Sequence, residues 1–78
     1  SLLVYPNPAQ EEFVLANPRG ISLNDLQMYD ITGRLVKTIP LQDMDIEARV
    51  DLSELASASY IMIVTSDEGH IVKHLLKE

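Results

Sequence analysis

The chain has no cysteine and no tryptophan, and only three glycines, four prolines and one phenylalanine among its 78 residues. Without cysteine there is neither a disulfide framework nor a thiolate metal site, a composition that suits the periplasm as well as the cytosol. Gly20, Gly33 and Gly69 are too scattered to build a phosphate-cradling loop, which removes nucleotide binding. Basic residues are few: six against twelve acidic ones, a net charge of -6. A chain so charged offers no broad cationic surface to exchange for counterions, so nucleic acid is excluded as a partner. Long apolar runs are missing too. The longest, Tyr60 to Val64, is five residues, far from the roughly twenty that a membrane-spanning helix needs. Ser1 to Tyr5 carries no basic region and is stopped by Pro6, so it is not expected to be a signal peptide; an exported parent would carry its signal elsewhere.

What is present is hydrophobic content of 46%, too apolar for a linker and sufficient for one modest core, so residues 1–78 are expected to form a single domain. Short apolar stretches recur every eight to twelve residues with turn signals between them, the spacing of an all-β sandwich. Seven strands are predicted. Leu2 to Tyr5 ends at Tyr5-Pro6-Asn7-Pro8, where two prolines remove backbone donors. Glu12 to Ala16 closes at Asn17-Pro18-Arg19-Gly20. Ile21 to Asp30 sets Leu26 and Met28 inward against Asp25, Gln27 and Tyr29. Asp30-Ile31-Thr32-Gly33 then makes a hairpin into Arg34 to Ile39, with Asp30 bonding backbone two residues on and Gly33 supplying positive φ.

The fifth strand has the cleanest alternation, Ile46, Ala48, Val50 and Leu52 inward against Glu47, Arg49 and Asp51. Asp51 to Ala56 has the pattern of one capped helical turn, with Glu54 three residues after Asp51. Tyr60 to Thr65, apolar on both faces and β-branched, is predicted as a central strand buried on both sides. Ser66-Asp67-Glu68-Gly69 is a turn into His70 to Lys77, whose apolar residues also fit a helical stripe but are assigned to a strand because a tight turn favours a hairpin. The expected fold is a seven-stranded antiparallel β-sandwich of immunoglobulin-like outline, lacking the tyrosine and cysteine hallmarks of antibody domains.

No constellation for catalysis stands out. On a strand, His70 and His74 are roughly 13 Å apart, too far to share an ion. Asp43, Asp45 and Glu47 alternate as at the start of a calcium loop but lack its glycine and closing glutamate. Ser53, Ser57, Ser59 and Ser66 have no base or Gly-flanked turn beside them. Neither a metal nor a cofactor is expected. Charge is more informative: Gln42 to Glu54 holds five of the twelve acids, whereas His70 to Lys77 holds two lysines, two histidines and no acid. That basic strip either blunts an edge against unwanted pairing or is gripped by a partner through strand addition or charge.

Val4-Tyr5-Pro6-Asn7-Pro8-Ala9, Leu26 to Val36 around Asp30-Ile31-Thr32-Gly33-Arg34, Val50-Asp51-Leu52-Ser53-Glu54-Leu55, and Tyr60 to Val64 followed by a Lys-bearing end form an ordered set of landmarks along the chain. In that order and spacing the chain resembles the type IX (Por) secretion system C-terminal sorting domain of Bacteroidetes. The family usually places Pro and Gly before the central-strand tyrosine, where this chain has Ala56 and Ala58. The resemblance implies a non-catalytic signal that takes a larger cargo, attached on its N-terminal side, through the periplasm and across the outer membrane to secretion or the cell surface. Its implied partners are the outer-membrane translocation machinery and a surface sorting peptidase, with any processing site near Ser1 or before it. By position, Tyr5, Pro6, Asn7 and Pro8 match the opening motif, Asp30, Gly33 and Arg34 the central turn, and Lys73, His74, Leu75, Leu76 and Lys77 the terminal segment. The competing expectation is a generic accessory immunoglobulin-like module that binds protein or glycan.

Overall fold

The computed structural model describes residues 2–78; Ser1, and with it the expected processing region, lies outside the described residues. Seven strands and no helix are found among them: β1 (Leu3–Tyr5), β2 (Glu12–Ala16), β3 (Leu23–Tyr29), β4 (Leu35–Pro40), β5 (Glu47–Asp51), β6 (Ala58–Ser66) and β7 (Gly69–Lys77). They form two antiparallel sheets, ordered β1-β2-β5 and β4-β3-β6-β7. The sheets pack as an immunoglobulin-like sandwich, and the last segment is a strand rather than a helix.

Alternation places the core. Leu26 and Met28 from β3 face Phe13 and Leu15 from β2, with Val50, Leu52, Met62, Val64 and Leu75 completing one buried cluster. Burying side chains of this size stabilises the fold by about 1.5–3 kcal/mol each.

The β3–β4 hairpin forms as its residues predict. Asp30 and Arg34 are joined by a backbone bond of 3.0 Å, Gly33 N–H donates to the Asp30 carbonyl at 3.0 Å, and Gly33 has φ 85°. The Asp30 carboxylate accepts from the Thr32 backbone N–H at 2.9 Å. The register shift this turn demands falls between Met28 and Tyr29.

Five expectations are corrected. β3 begins at Leu23, because the Asn17 side chain holds both backbone groups of Ile21 in the preceding turn. β5 begins at Glu47, and Ile46 is 56% exposed rather than inward, its carbonyl taken by the Asn17 N–H. Asp51 to Ala56 is no helical turn: the Asp51 carboxylate accepts from Ser53 N–H and Leu55 N–H donates to the Leu52 carbonyl, a pair of tight turns that stop there. β6 is central but buried on one face only, with Tyr60, Met62 and Val64 inward and Ile61 41% exposed, since among the described residues no third layer covers the outer face of the larger sheet.

The fifth concerns Tyr60. Its ring is buried and its hydroxyl donates to the Ala56 carbonyl at 2.6 Å. A tyrosine near a strand start, bonded to backbone a few residues upstream, is the tyrosine corner of immunoglobulin-type sandwiches. The hallmark thought missing is therefore present, and buried Met62 stands two residues on, where antibody domains carry cysteine.

Candidate functional site

The opening motif and the terminal strand meet, although they lie at opposite ends of the sequence. After β1 the chain crosses to the outer edge of β7. There the Asn7 amide donates to the His74 carbonyl at 2.9 Å and accepts from the Leu76 N–H at 3.1 Å. Two residues later Ala9, fully buried, makes a parallel bridge to Lys77, with Ala9 N–H on the Leu76 carbonyl and Glu78 N–H on the Ala9 carbonyl, both 2.8 Å. Residues 7–9 thus form a strap over the last part of β7. Pro6 and Pro8 are exposed beside it and border a shallow cleft with Glu11 and Glu12.

The same end of the larger sheet carries an open groove of about 440 Å³ lined by Asn7, Ile31, Ser59, Ile61, His74 and Leu76, with Tyr60 and Leu75 at its base. Ile31, 80% exposed at the tip of the β3–β4 hairpin, brings the central turn to the groove. Asp30, Gly33 and Arg34 do not line it; they shape the turn that presents Ile31. Hydrogen bonds from the Thr32 side chain and the Arg34 backbone hold the Asp30 carboxyl below its ordinary range, with the Arg34 guanidinium 3.3 Å away adding to the effect.

Tyr5 is elsewhere. It lies on the outer face of the three-stranded sheet and donates to Glu47 at 2.9 Å, a bond that holds its hydroxyl above the ordinary tyrosine range. Arg49 and Glu12 pair on that face at 2.7 Å, adding a second polar pair to it.

Of the terminal residues, His74 and Leu76 are exposed and Lys73 is half-buried, but Leu75 and Lys77 are buried. Lys77 Nζ donates to the Leu55 carbonyl at 2.5 Å. The expected basic strip is corrected at Lys77 alone: it points between the sheets because strand alternation turns it inward with Leu75, and it fastens the strand end to the Leu52–Leu55 turn. Sequence reasoning missed this latch and the Asn7 strap, since both are contacts across most of the chain length. It also missed Ile31, whose signal was an isoleucine in a turn built of polar residues.

Among the described residues no three His, Asp or Glu side chains gather to hold a metal. The four aromatics do not form a glycan platform: Phe13 and Tyr60 are buried, and Tyr5 and Tyr29 lie on opposite sheets.

A family model described as the secretion system C-terminal sorting domain matches residues 3–78, essentially the whole chain. The chain belongs to that family. No curated protein matches it significantly. The type IX sorting domain is a targeting signal, so the strap, the central turn and the groove belong to a domain whose work is the export of an N-terminal cargo out of the cell.

Proposed function

We propose that residues 1–78 act without catalysis, as a folded address read by the outer-membrane translocation machinery during transit through the periplasm. The observation that carries this reading is the convergence of three separate sequence landmarks on one groove: Asn7 from the opening motif, Ile31 from the central turn, and His74 and Leu76 from the terminal strand. A groove of this size with an apolar wall and a few polar groups suits a partner's apolar side chains. The outer-membrane machinery engages it first, and a surface sorting peptidase then acts on the cargo junction.

Fusion of the chain to a periplasmic reporter in a host with the type IX system tests this. Ile31→Asp and Leu76→Asp change exposed positions, so the fold is expected to survive while surface or secreted reporter falls by about tenfold or more, the effect of losing one apolar anchor. Wild-type export from both folded variants would show that the groove is not read.

A further inference from the structure

We infer that the first half of the β7 edge, His70 to His74, is a strand-addition site for an extended apolar segment of a partner protein, flanked by Lys or Arg. The inference rests on the export reading and names a second contact, which continues along the edge from the groove at His74. The carbonyl of His74 and both backbone groups of Leu76 face outward, where the strap meets them. Backbone direction in an antiparallel strand repeats every two residues, so the N–H and C=O of His70 and Val72 point to the same edge. β7 pairs with β6 on its other side along its whole length, and the strap takes the His74 carbonyl, both groups of Leu76 and the Glu78 N–H. His70 and Val72 have no strand beside them among the described residues.

Sheet edges are normally defended by short strands, proline, charge or bulges. The other three edges are. β1 has three residues and runs into Pro6; β4 carries a bulge opposite Met28 and Tyr29 and a terminal Pro40; β5 alternates Glu47, Arg49 and Asp51. The open half of β7 carries one lysine, Lys73, half-buried on the inward side of the strand, and otherwise presents Ile71 and Val72, the latter 49% exposed. Beside Val72 the outer face continues through its cross-strand neighbour Ile63 and on to Ile61, with no lysine, arginine or glutamate among them.

Charge selects the occupant. Asp67 and Glu68 are exposed in the turn that ends the open stretch, with Asp67 bonded to Asn24 on the β3 side, so a segment lying along the edge passes a turn of negative charge. An apolar strand with a basic flank satisfies the backbone groups, covers Val72 and complements the turn. A second copy of this chain is a poor occupant, because each copy carries -6 and would bring like charge to the contact.

The test uses the chain fused to the exported reporter. Val72→Pro removes an outward N–H without touching the bonds to β6, so the domain should keep its circular dichroism spectrum and melting behaviour. Export should fall about tenfold, the loss expected when an added strand forfeits backbone bonds. Val72→Lys, a charge on the same edge, should do the same and decides the matter if the proline variant does not fold. Thr38→Lys, on the same sheet face but the opposite edge, should export normally. Wild-type export by a folded Val72→Pro or Val72→Lys overturns the inference, as does an equal loss in Thr38→Lys. Concentration-dependent dimers that vanish in Val72→Lys would overturn the partner assignment. If the unaltered fusion is not exported, the export reading fails, not the edge.

Discussion

Tyr60 is a core side chain with a polar tip, and both ends are satisfied: the ring within the sandwich, the hydroxyl on the Ala56 carbonyl. Tyr60→Phe keeps the ring and strands the carbonyl, so it should destabilise by about 1 kcal/mol. In a domain of this size that lowers the melting temperature by about 4–8 °C, read by calorimetry. Lys77 works in a similar way, its stem packed between sheets and its ammonium on a carbonyl. Lys77→Met, which keeps the stem, should be clearly milder than Lys77→Ala in denaturant titrations. Asp30 gives the pH dependence. Its carboxyl lies below the ordinary range in the folded chain, chiefly through the Thr32 and Arg34 hydrogen bonds. A depressed folded pKa means stabilisation that is present above the unfolded value, near 4, and lost as pH falls through the lower folded value. The denaturant midpoint should therefore decline below about pH 4, and Asp30→Asn should make that decline shallower.

At the scale of the element, hairpins and alternation were legible because their causes are local. Asp30 and Gly33 specify their turn by side-chain bonding and positive φ, and the two-residue loop between Ser66 and Gly69 fixes the β6–β7 register. Gly33→Ala meets no atom within 4 Å, so only the strain of a left-handed backbone remains, about 1–2 kcal/mol by denaturant titration. The misplaced boundaries share a different cause. Ile21 and Ile46 continue an apolar pattern, yet Asn17, 2% exposed, binds the backbone of both and ends the strands there. A buried asparagine bridging two turns leaves no periodic trace. Asp51 and Glu54 matched a capping pattern, but a carboxylate that bonds backbone two residues on serves a turn as well as a helix.

The whole molecule explains why the site was only half visible. Its residues were named from landmarks, but the Asn7–His74 contact spans 67 positions, and no local pattern encodes which end of the chain closes on the other. That closure makes the terminal segment both structural and exposed: Lys73, Leu75 and Lys77 turn toward the core side, and His74 and Leu76 face outward. Removing residues 73–78 would strip Leu75 from the core, withdraw Lys77 from Leu55, leave the strap without a strand, and unpair Ala58 to Met62 of β6. The lost core contact alone costs about 2–5 kcal/mol, comparable with the whole stability of a small domain, about 5 kcal/mol. The truncated chain should lose its cooperative thermal transition in circular dichroism, so its failure to export would report unfolding rather than lost recognition. His74→Ala combined with Leu76→Ser alters only outward side chains, and should keep the transition while lowering export. A truncated chain that still melts cooperatively would mean that the sandwich closes without its last strand, and the division of β7 into inward and outward roles would be wrong.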